Sequence, residues 1–324
     1  MLRGGRSSEH PVSLRSGAAV ADGLRAAGHE VVDVVIGRDG RWLAGAGEDG
    51  TGGAEIELRA AAGLLGCDAA FPVLHGPFGE DGVVQGLLEC LDVPYVGPGV
   101  LAAATTIDKL VFKRLLRDAG TPQVDFCAAG DEGWRGRVEA MGMPVWVKPS
   151  RLGSSVGILK VSDPAELDAA IAAASEHDPR VIVEAHCEGR EVECSVLGNE
   201  VVETSLPGEI TIGAEWYDYE AKYEPGGMEL VVPAPVGEEA IARVRELAER
   251  VYRLCGCTGL ARCDFFVRDG GEVLVNELNT IPGFTETSVF AKLFEASGVP
   301  YPELCDRLVA LALERHETER RYRY

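Results

Sequence analysis

Four polar side chains in the last quarter of the chain have types and spacing that could bind a metal ion. Two segments rich in aromatic and β-branched residues flank Asp269-Gly270-Gly271, a pattern typical of an antiparallel hairpin. Arg262 and Asp264 are two residues apart, so they share one face of the first strand. Glu277 and Asn279 have the same spacing on the second strand. One face of the hairpin is therefore predicted to gather two carboxylates, an amide oxygen and a guanidinium.

Oxygen donors of this kind suit Mg²⁺, which usually completes its coordination with water and substrate phosphates. The alternative is that these are ordinary solvent-facing strand residues, joined at most in a surface salt bridge. The segment from Leu274 to Ile281 argues against it, because its polar members lie in an otherwise apolar run. Burying such groups without partners would cost roughly 2–7 kcal/mol each. The sequence therefore favours a metal site on this hairpin.

Composition and charge limit the classes of protein to which the chain can belong. Its 324 residues suffice for two or three domains, and 46% hydrophobic with 26% charged residues is typical of a globular protein. No apolar run approaches the length of a membrane span, and a net charge of −21 argues against binding to nucleic acid or an anionic membrane. The nine cysteines include no Cys-x-x-Cys pair, which predicts reduced thiols in a cytoplasmic protein.

The first hundred residues alternate between strand and helix patterns. A glycine-led polar loop, Gly4 to His10, precedes a helical pattern that ends near Ala27, and an apolar strand, Ala69 to His75, runs into a second glycine-rich loop. This alternation predicts a parallel α/β domain up to about residue 104. Only Met1 to Arg3 precede the first loop, so the first strand is expected to be almost absent, leaving apolar surface and backbone groups exposed. This expectation suggests a misassigned start codon.

Residues 150–157 form a Gly/Ser loop between two strand patterns, directly after Lys148 and Pro149. The loop is not a Walker P-loop, which requires Gly-Lys-Ser/Thr at the start of a helix. Its backbone N–H groups could form a nest for phosphates, although such a loop taken alone is more often a plain hairpin turn. Lys148 strengthens the phosphate hypothesis. A longer irregular stretch, 207–228, is rich in aromatic residues, which favours a functional lid over disorder.

These features resemble the D-alanine–D-alanine ligases of the ATP-grasp superfamily, over essentially the whole chain. Six motifs carry the resemblance, in the order expected for the family: Gly-Gly-Arg-Ser-Ser-Glu-His, Leu-His-Gly-Pro-Phe-Gly-Glu-Asp-Gly, Val-Lys-Pro-Ser-Arg-Leu-Gly-Ser-Ser-Val-Gly, Tyr-Asp-Tyr-Glu-Ala-Lys-Tyr, Ala-Arg-Cys-Asp and Asn-Glu-Leu-Asn-Thr-Ile-Pro-Gly-Phe-Thr. No single motif is decisive, but the combination is highly specific.

The resemblance implies an α/β fold, α+β in its C-terminal part, with the three-domain ATP-grasp architecture. An N-terminal Rossmann-like substrate domain would span residues 1–104 and lack most of its first strand. A central ATP-grasp subdomain would span 105–188, and a C-terminal one 189–324. The last would carry an omega-type loop at 207–228 and the metal-binding hairpin at 259–283.

The activity implied is the ATP-dependent joining of two D-alanine molecules for peptidoglycan synthesis, in a cytoplasmic and commonly homodimeric enzyme. A D-alanine carboxylate would attack the γ-phosphate of ATP to give an acyl phosphate. The amine of a second D-alanine would then attack the acyl carbon, and phosphate would leave from a tetrahedral intermediate. Such phosphoryl transfer depends mainly on positioning and on neutralisation of charge.

The resemblance also implies three groups of site residues and a metal set. Those implied in catalysis are Glu9, Ser154, Tyr223, Arg262 and Ser288. Those implied in nucleotide binding are Lys109, Lys148, Ser155, Glu184, Glu191 and Lys222. D-alanine would further contact His75 and Gly283. Two Mg²⁺ or Mn²⁺ ions would be held by Asp264, Glu277 and Asn279.

Within these groups, Glu9 would hold the ammonium of the first D-alanine, and His75 would lie near its carboxylate. Arg262 would stabilise the charge that develops on the acyl phosphate and the tetrahedral oxygen. Tyr223, on the long loop, would bond to Ser154 and Glu9 and close the site against water. The lysines would reach the phosphates, and the two nucleotide-site glutamates would contact adenine and ribose.

Each of these roles has a simpler alternative. Glu9 could be a capping-box acid, His75 a core histidine that ends a strand, and Lys222 a solvated loop charge. The chain also departs from the family pattern at Ala185, where relatives often carry Lys, and at Val289, where Leu or Met is usual. Val289 could alter the pocket for the second substrate.

Other activities remain open at this stage. Ligases that join D-alanine to D-lactate resemble this family but lack the tyrosine that Tyr223 represents, so the amine acceptor is favoured. A D-alanine–D-serine ligase is harder to exclude, because it differs only in pocket size. A non-catalytic ATP-binding protein would fit a missing first strand, but it would have no chemical need for Arg262 beside the metal set.

Overall fold

The structure is a computed structural model that describes residues 1–47, 50–153, 156–212 and 228–323. The α-helices in these ranges are α1 (His10–Ala26), α2 (Val83–Leu91), α3 (Val100–Ile107), α4 (Lys109–Asp118), α5 (Trp134–Met141), α6 (Leu167–Ser175), α7 (Glu238–Leu254), α8 (Val289–Ala296) and α9 (Tyr301–Glu319). The strands are β1 (Leu2–Gly4), β2 (Val34–Ile36), β3 (Trp42–Ala44), β4 (Ala54–Glu55), β5 (Pro72–Val73), β6 (Phe126–Ala128), β7 (Val145–Pro149), β8 (Leu159–Val161), β9 (Val181–Ala185), β10 (Arg190–Gly198), β11 (Val202–Thr204), β12 (Gly208–Ile212), β13 (Met228–Val231), β14 (Gly259–Val267) and β15 (Val273–Asn279).

The first sheet has the strand order β4-β3-β2-β1-β5. Strand β1 pairs in parallel with both β2 and β5, so the expectation that this strand is almost absent is wrong. Three residues suffice, because β2 is itself only three residues long and β5 only two. The expected exposed apolar surface is also absent at this strand, since Met1 and Leu2 are buried.

The same sheet is mixed rather than wholly parallel. Strands β3 and β4 add to β2 in antiparallel fashion, within and just beyond the Gly-rich stretch 37–53. Trp42 explains why this stretch folds back onto the sheet, because its side chain is buried in the core beneath it.

Two further sheets follow along the chain. One has the order β6-β9-β7-β8, and the other has the order β13-β12-β10-β14-β15 with β11 paired to β10. The predicted hairpin is confirmed as β14 and β15, which pair antiparallel. Each sheet falls within one of the three ranges expected for the domains, whose boundaries stay a prediction.

The stretch 207–228 begins as a strand rather than as a loop. Strand β12 pairs with β10 and β13, and Glu209 and Ile210 within it are buried. The expected loop is therefore shorter at this end than the sequence suggested. Residues 213–227 lie outside the described residues.

The C-terminal segment packs against the first domain and closes the molecule around a cleft. Phe284 contacts Phe71, the residue directly before β5, and Tyr301, with ring centroids 5.8 and 5.6 Å away. The buried Arg315 donates hydrogen bonds to the carbonyl oxygens of Tyr95 and Gly97. These contacts hold the chain after β15 against the end of the first sheet. Among the helices that the structure describes, none is long and apolar enough to cross a membrane.

Candidate active site

The β14–β15 hairpin places its four polar residues in two directly opposed pairs. Arg262 lies opposite Asn279, and Asp264 lies opposite Glu277. The pairing shifts register immediately after Asp264, so one residue of β15, Asn276, has no opposing partner. This β-bulge interrupts the alternation of side chains along β15 and ends its buried apolar run. Glu277 and Asn279 therefore face the same side of the sheet as Asp264 and Arg262.

Arg262 is held by two carboxylates. Its Nε and Nη2 donate to Asp264 Oδ1 and Oδ2 at 2.8 and 2.7 Å, and its Nε lies 2.7 Å from Glu193 Oε2 on the neighbouring strand β10. Burial works against the charged guanidinium, but Asp264 and Glu193 hold its pKa well above the ordinary value. Arg262 is thus a fixed positive charge, and its planar fork is oriented at two points.

The oxygen donors of the hairpin meet the requirements of a metal site only in part. No group of three or more His, Cys, Asp or Glu in the described ranges is placed to hold a metal ion. Two carboxylates and an amide do meet, however, since Asn279 Nδ2 donates to Asp264 Oδ2 at 3.0 Å and lies 3.4 Å from Glu277 Oε1. Mg²⁺ takes one or two carboxylates and completes its shell with water and phosphate. The residues therefore fit a metal that is bound together with a polyphosphate.

A capped helix start positions Lys109. Asp108 accepts hydrogen bonds from two backbone N–H groups of the first turn of α4, and Ser150 Oγ donates to it at 2.7 Å. Because Asp108 immediately precedes Lys109, the cap fixes where the lysine leaves the backbone. The Lys109 ammonium donates to the carbonyl of Leu152 at 2.7 Å and lies 3.8 Å from Glu277 Oε2. The Lys109 ammonium therefore lies between the Gly/Ser loop and the hairpin face that carries Glu277.

Two lysines flank Glu184. Lys148 Nζ donates to Glu184 Oε2 at 2.6 Å, and Lys113 Nζ lies 3.4 Å from Oε1. Burial raises the pKa of Glu184, but Lys113 and Lys148 outweigh it and hold the pKa at about 2. For Lys148, burial is likewise outweighed by Glu184, which raises the ammonium pKa above its ordinary value. The group keeps one net positive charge beside the cavity.

The opposite wall carries three titratable groups from the first domain. Glu9 directly precedes α1 and makes no capping hydrogen bond, so the capping-box alternative is not supported. His75 Nδ1 lies 3.1 Å from the Ile281 carbonyl, and burial lowers its pKa. Glu80 Oε2 accepts from the Gly76 N–H at 2.7 Å, and burial with the neighbouring Glu9 raises the Glu80 pKa to about 8. The wall therefore holds a neutral imidazole and a protonated carboxyl at neutral pH.

A turn between β15 and α8 completes the site. Ser288 Oγ accepts a hydrogen bond from the Thr285 N–H at 2.9 Å and lies 2.8 Å from Thr285 Oγ1. A Cβ added at Gly283 would lie 3.4 Å from Ser288 Oγ, so the backbone approaches this hydroxyl closely. Val289, which follows, is buried.

Apart from Gly76, Asp108, Lys113 and Ser150, which lie behind the wall, these residues line one cavity of about 850 Å³. Every predicted site residue that the structure describes is part of its wall: Glu9, His75, Lys109, Lys148, Glu184, Glu191, Arg262, Asp264, Glu277, Asn279, Gly283 and Ser288. Ser154, Ser155, Lys222 and Tyr223 lie outside the described residues. The structure brings these residues together around one cleft, and their individual roles stay predictions.

Several residues in or next to the cavity wall were not predicted from the sequence. Glu80 belongs to a motif already singled out, and Lys113 lies one helical turn after Lys109, so local signals for both existed. Glu193 reaches Arg262 only through the β10–β14 pairing, which no local pattern indicates. Trp146 and His186 also line the cavity and were not anticipated.

Comparison with known proteins gives one consistent family. Residues 1–98 match the family described as D-ala D-ala ligase N-terminus, and residues 115–310 match D-ala D-ala ligase C-terminus. The D-alanine–D-alanine ligase of Deinococcus radiodurans is 47% identical over 97% of this chain and 98% of its own length. That of Geobacillus kaustophilus is 41% identical over 100% of this chain and 96% of its own.

Solved structures agree with this result. The D-alanine–D-alanine ligase from Coxiella burnetii superposes with a TM-score of 0.89 at 34% identity, covering 99% of this chain and 94% of that one. The VanG D-Ala:D-Ser ligase from Enterococcus faecalis gives 0.86 at 33% identity, covering 96% and 98%. The expected fold class is confirmed.

Proposed function

The chain belongs to the D-alanine–D-alanine ligase family, and from this we infer that it is an ATP-dependent ligase that joins two D-alanine molecules. The product, D-alanyl-D-alanine, is a precursor of peptidoglycan. One observation carries the proposal: the oxygen-donor face of the β14–β15 hairpin lines the same cavity as Lys109 and Lys148. A site of this kind can bind a metal–polyphosphate and a small amino acid together.

The chemistry of phosphoryl transfer explains the charges of the site. Asp264, Glu277 and Asn279 would hold two Mg²⁺ or Mn²⁺ ions, which supply charge neutralisation at the phosphates when bound. Lys109 and Lys148 approach the phosphates from the Gly/Ser-loop side. The fixed charge of Arg262 then faces the reacting acyl phosphate, where negative charge develops in the transition state.

The first-domain wall fits an amino-acid substrate. Glu9 supplies a carboxylate for the ammonium of the first D-alanine, while the protonated Glu80 adds no second charge beside it. His75 has one ring nitrogen 3.1 Å from the Ile281 carbonyl and the other 3.4 Å from Ser16 Oγ, so it acts as a packed neutral group near the substrate. Gly283 and Ser288 form the turn that would receive the carboxylate of the second substrate.

A second candidate is a ligase that takes D-serine as acceptor. The structural similarity to the Enterococcus faecalis D-Ala:D-Ser ligase favours keeping it, at a TM-score of 0.86. Both substrates use the same acyl-phosphate chemistry, so the difference lies in the acceptor pocket, where Val289 follows Ser288. Direct competition between the two amino acids distinguishes the two activities.

The decisive experiment is phosphate release from ATP and Mg²⁺ by the purified full chain, with D-alanine, D-serine or D-lactate as substrate and the product identified by mass. We expect D-alanine-dependent release and the mass of D-alanyl-D-alanine. The double variant Asp264→Asn with Glu277→Gln should lose turnover, while Asp269→Asn, at the exposed hairpin turn, should keep it. Binding of ATP without turnover would instead indicate a non-catalytic nucleotide-binding protein.

We also propose that the protein is cytoplasmic and forms a homodimer. Use of ATP together with nine free cysteines supports a cytoplasmic protein. The proposed homodimer can be tested by light scattering of the purified protein during gel filtration.

A further inference from the structure

Two basic residues on the cavity wall, Arg15 and Lys292, have no acidic partner among the residues that the structure describes. Arg15 lies on α1 and Lys292 on α8, and both side chains are exposed. The chain has 52 acidic and only 31 basic residues, so acidic partners are plentiful elsewhere on its surface. Two unpaired positive charges on one cavity wall favour an anionic ligand group at that place.

Arg15 lies at the rim of the cavity end that is proposed to take the amino acids. The next residue, Ser16, is buried, and its Oγ lies 3.4 Å from His75 Nε2. The other ring nitrogen of His75 lies 3.1 Å from the carbonyl oxygen of Ile281, which leads into the turn between β15 and α8. His75 therefore joins α1 to this turn, and Arg15 leaves α1 directly beside the junction.

Lys292 leaves α8 one helical turn beyond Ser288. Its backbone N–H donates to the Ser288 carbonyl at 3.0 Å, so the two residues are about 6 Å apart along the helix axis. Thr285 and Thr287, in the turn before α8, also line this part of the cavity. Hydroxyl groups with an ammonium beside them are suited to binding a carboxylate.

The acidic residues near this end leave the two positive charges in place. Glu286 belongs to the same turn but does not line the cavity. Burial raises the pKa of the Tyr301 hydroxyl and the Cys305 thiol, and the Glu286 carboxylate raises both further, so Glu286 lies toward α9. On the first-domain wall Glu80 is protonated at neutral pH. The ammonium of the first D-alanine matches the charge of Glu9 in the proposed function.

We propose that the acceptor site also takes D-amino acids with a side-chain carboxylate, D-aspartate and D-glutamate, and that Lys292 and Arg15 bind this carboxylate. The inference rests on the proposed function, because it concerns the second substrate of the same ligase. The two carboxylates of such an acceptor are about 4–5 Å apart, as bond lengths dictate. With the α-carboxylate at the Ser288 turn, the second carboxylate is within reach of the long Lys292 side chain. D-alanine has only a methyl group there.

The reaction is that of the proposed function with a different acceptor. The acceptor amine attacks the acyl carbon of D-alanyl phosphate, a C–N bond forms, and the C–O bond to phosphate breaks. The acceptor ammonium gives up two protons, one to the departing phosphate and one to solvent. The side-chain carboxylate takes no part in bond making, so its contact should lower the KM for the acceptor and leave kcat nearly unchanged.

The test supplies the full-length protein with ATP, Mg²⁺ and D-alanine, together with equimolar D-aspartate and D-asparagine. These two acceptors have nearly the same shape but differ in charge. Mass spectrometry quantifies the dipeptides, and fragmentation gives the order of their residues. Both acceptors compete for one acyl phosphate, so the product ratio equals the ratio of their kcat/KM values, and a general loss of activity cancels. We expect D-alanyl-D-aspartate to exceed D-alanyl-D-asparagine by about 3- to 10-fold.

Substitutions of the two basic residues should change this ratio. Lys292→Gln and Arg15→Gln should each lower it, and the double variant should bring it to about one. Lys292→Glu should reverse the preference in favour of D-asparagine. Salt at about 0.5 M should lower the wild-type ratio, because the contact is at the rim and is screened. Arg243→Gln removes an exposed cation of α7 that pairs with Glu246 outside the cavity, and it should leave the ratio unchanged.

A wild-type protein that makes D-alanyl-D-alanine but shows a product ratio near one, or no D-alanyl-D-aspartate, would overturn this inference and leave the proposed function standing. A ratio that is the same in the double variant would also overturn it. Equal losses with D-alanine, D-asparagine and D-aspartate as acceptors in Lys292→Gln would instead place the lysine at the α-carboxylate, against the inference. If the wild-type protein forms no dipeptide from D-alanine alone, the proposed function fails with it.

Discussion

The ammonium of Lys113 lies 3.4 Å from one carboxylate oxygen of Glu184, whose other oxygen is bound by Lys148 from the cavity side. Lys113 is almost fully buried and, within the described residues, its Nζ has no hydrogen-bond partner of good geometry. It also lies 5.9 Å from the centre of the Phe126 ring. Burial lowers the pKa of Lys113, and Glu184 opposes that shift. Lys113 therefore does not line the cavity itself, and it contacts the cavity wall through Glu184.

Lys113→Met should weaken nucleotide binding without removing any group that lines the cavity. With one ammonium gone, Lys148 and Glu184 form a neutral pair, so the wall loses its net charge toward the phosphates. We expect the KM for ATP to rise about tenfold with little change in kcat, a loss of about 1.4 kcal/mol in binding. Steady-state kinetics at constant ionic strength will measure it. Arg117→Met, on the exposed face of the same helix, is the matched control.

The same variant should change the acid stability of the protein. The pKa of Glu184 is held at about 2, below its ordinary value, so its contribution to stability is present above about pH 4.5 and is lost as the pH falls toward 2. In Lys113→Met the folded-state pKa of Glu184 should rise toward its ordinary value, so the loss below about pH 4.5 should be smaller and should end at higher pH, as measured by denaturant unfolding between about pH 2 and 7. An unchanged acid limb would show that Lys148 alone keeps Glu184 ionised.

Arg262→Lys should lower kcat much more than it changes the KM for ATP. Lysine keeps the positive charge but cannot make the two-point contact with Asp264, so the charge is no longer fixed at the reacting centre. Loss of an oriented donor to a developing oxyanion costs about 10²–10³ in kcat. Rapid-quench measurement of product formation checks this. Arg268→Lys, at the exposed end of the same hairpin, should leave the rate unchanged, and a loss confined to KM would contradict the role.

The β14–β15 hairpin shows which features of the site could be predicted from the sequence and which could not. The spacing of Arg262, Asp264, Glu277 and Asn279 predicted a shared face, because alternation along a strand is a local property. The β-bulge that ends the apolar run of β15 was not predicted, since it depends on pairing across the hairpin. The partner Glu193 comes from another strand and was missed for the same reason.

The first strand shows a second limit. Its shortness suggested that it could not serve the sheet, yet Leu2 pairs with Val34 on one side and Pro72 on the other. Sequence alone showed how many residues precede the glycine loop, but not how short the neighbouring strands are. Strand length is judged against its partners, and those are known only in the fold.

Glu80→Gln should remove a pH dependence from stability. Burial and then Glu9 raise the pKa of Glu80 to about 8, so the folded state keeps a proton that the unfolded chain loses near pH 4.5. Wild-type stability should therefore fall between pH 4.5 and 8, at up to about 1.4 kcal/mol per pH unit from this group. Glutamine accepts the Gly76 N–H bond without titrating. The difference in unfolding free energy between variant and wild type should grow over this range and then level off, whereas exposed Glu139→Gln should show no such trend.

Gly76→Ala should disturb the carboxylate that faces the first amino acid. Gly76 has φ +73°, and a Cβ there would lie only 2.4 Å from Glu9 Oε2, so the carboxylate must move. Gly63 provides a matched control, because its φ is +71° and a Cβ there would meet nothing within 4 Å. Both alanine variants bear the cost of a left-handed backbone, about 1–2 kcal/mol in unfolding free energy. Only Gly76→Ala should also raise the KM for the first D-alanine, by about tenfold or more at equal ATP affinity, since displacing an oriented charge contact costs about 1.5–3 kcal/mol. If both variants change KM alike, Glu9 does not orient the substrate, and backbone strain alone explains the effect.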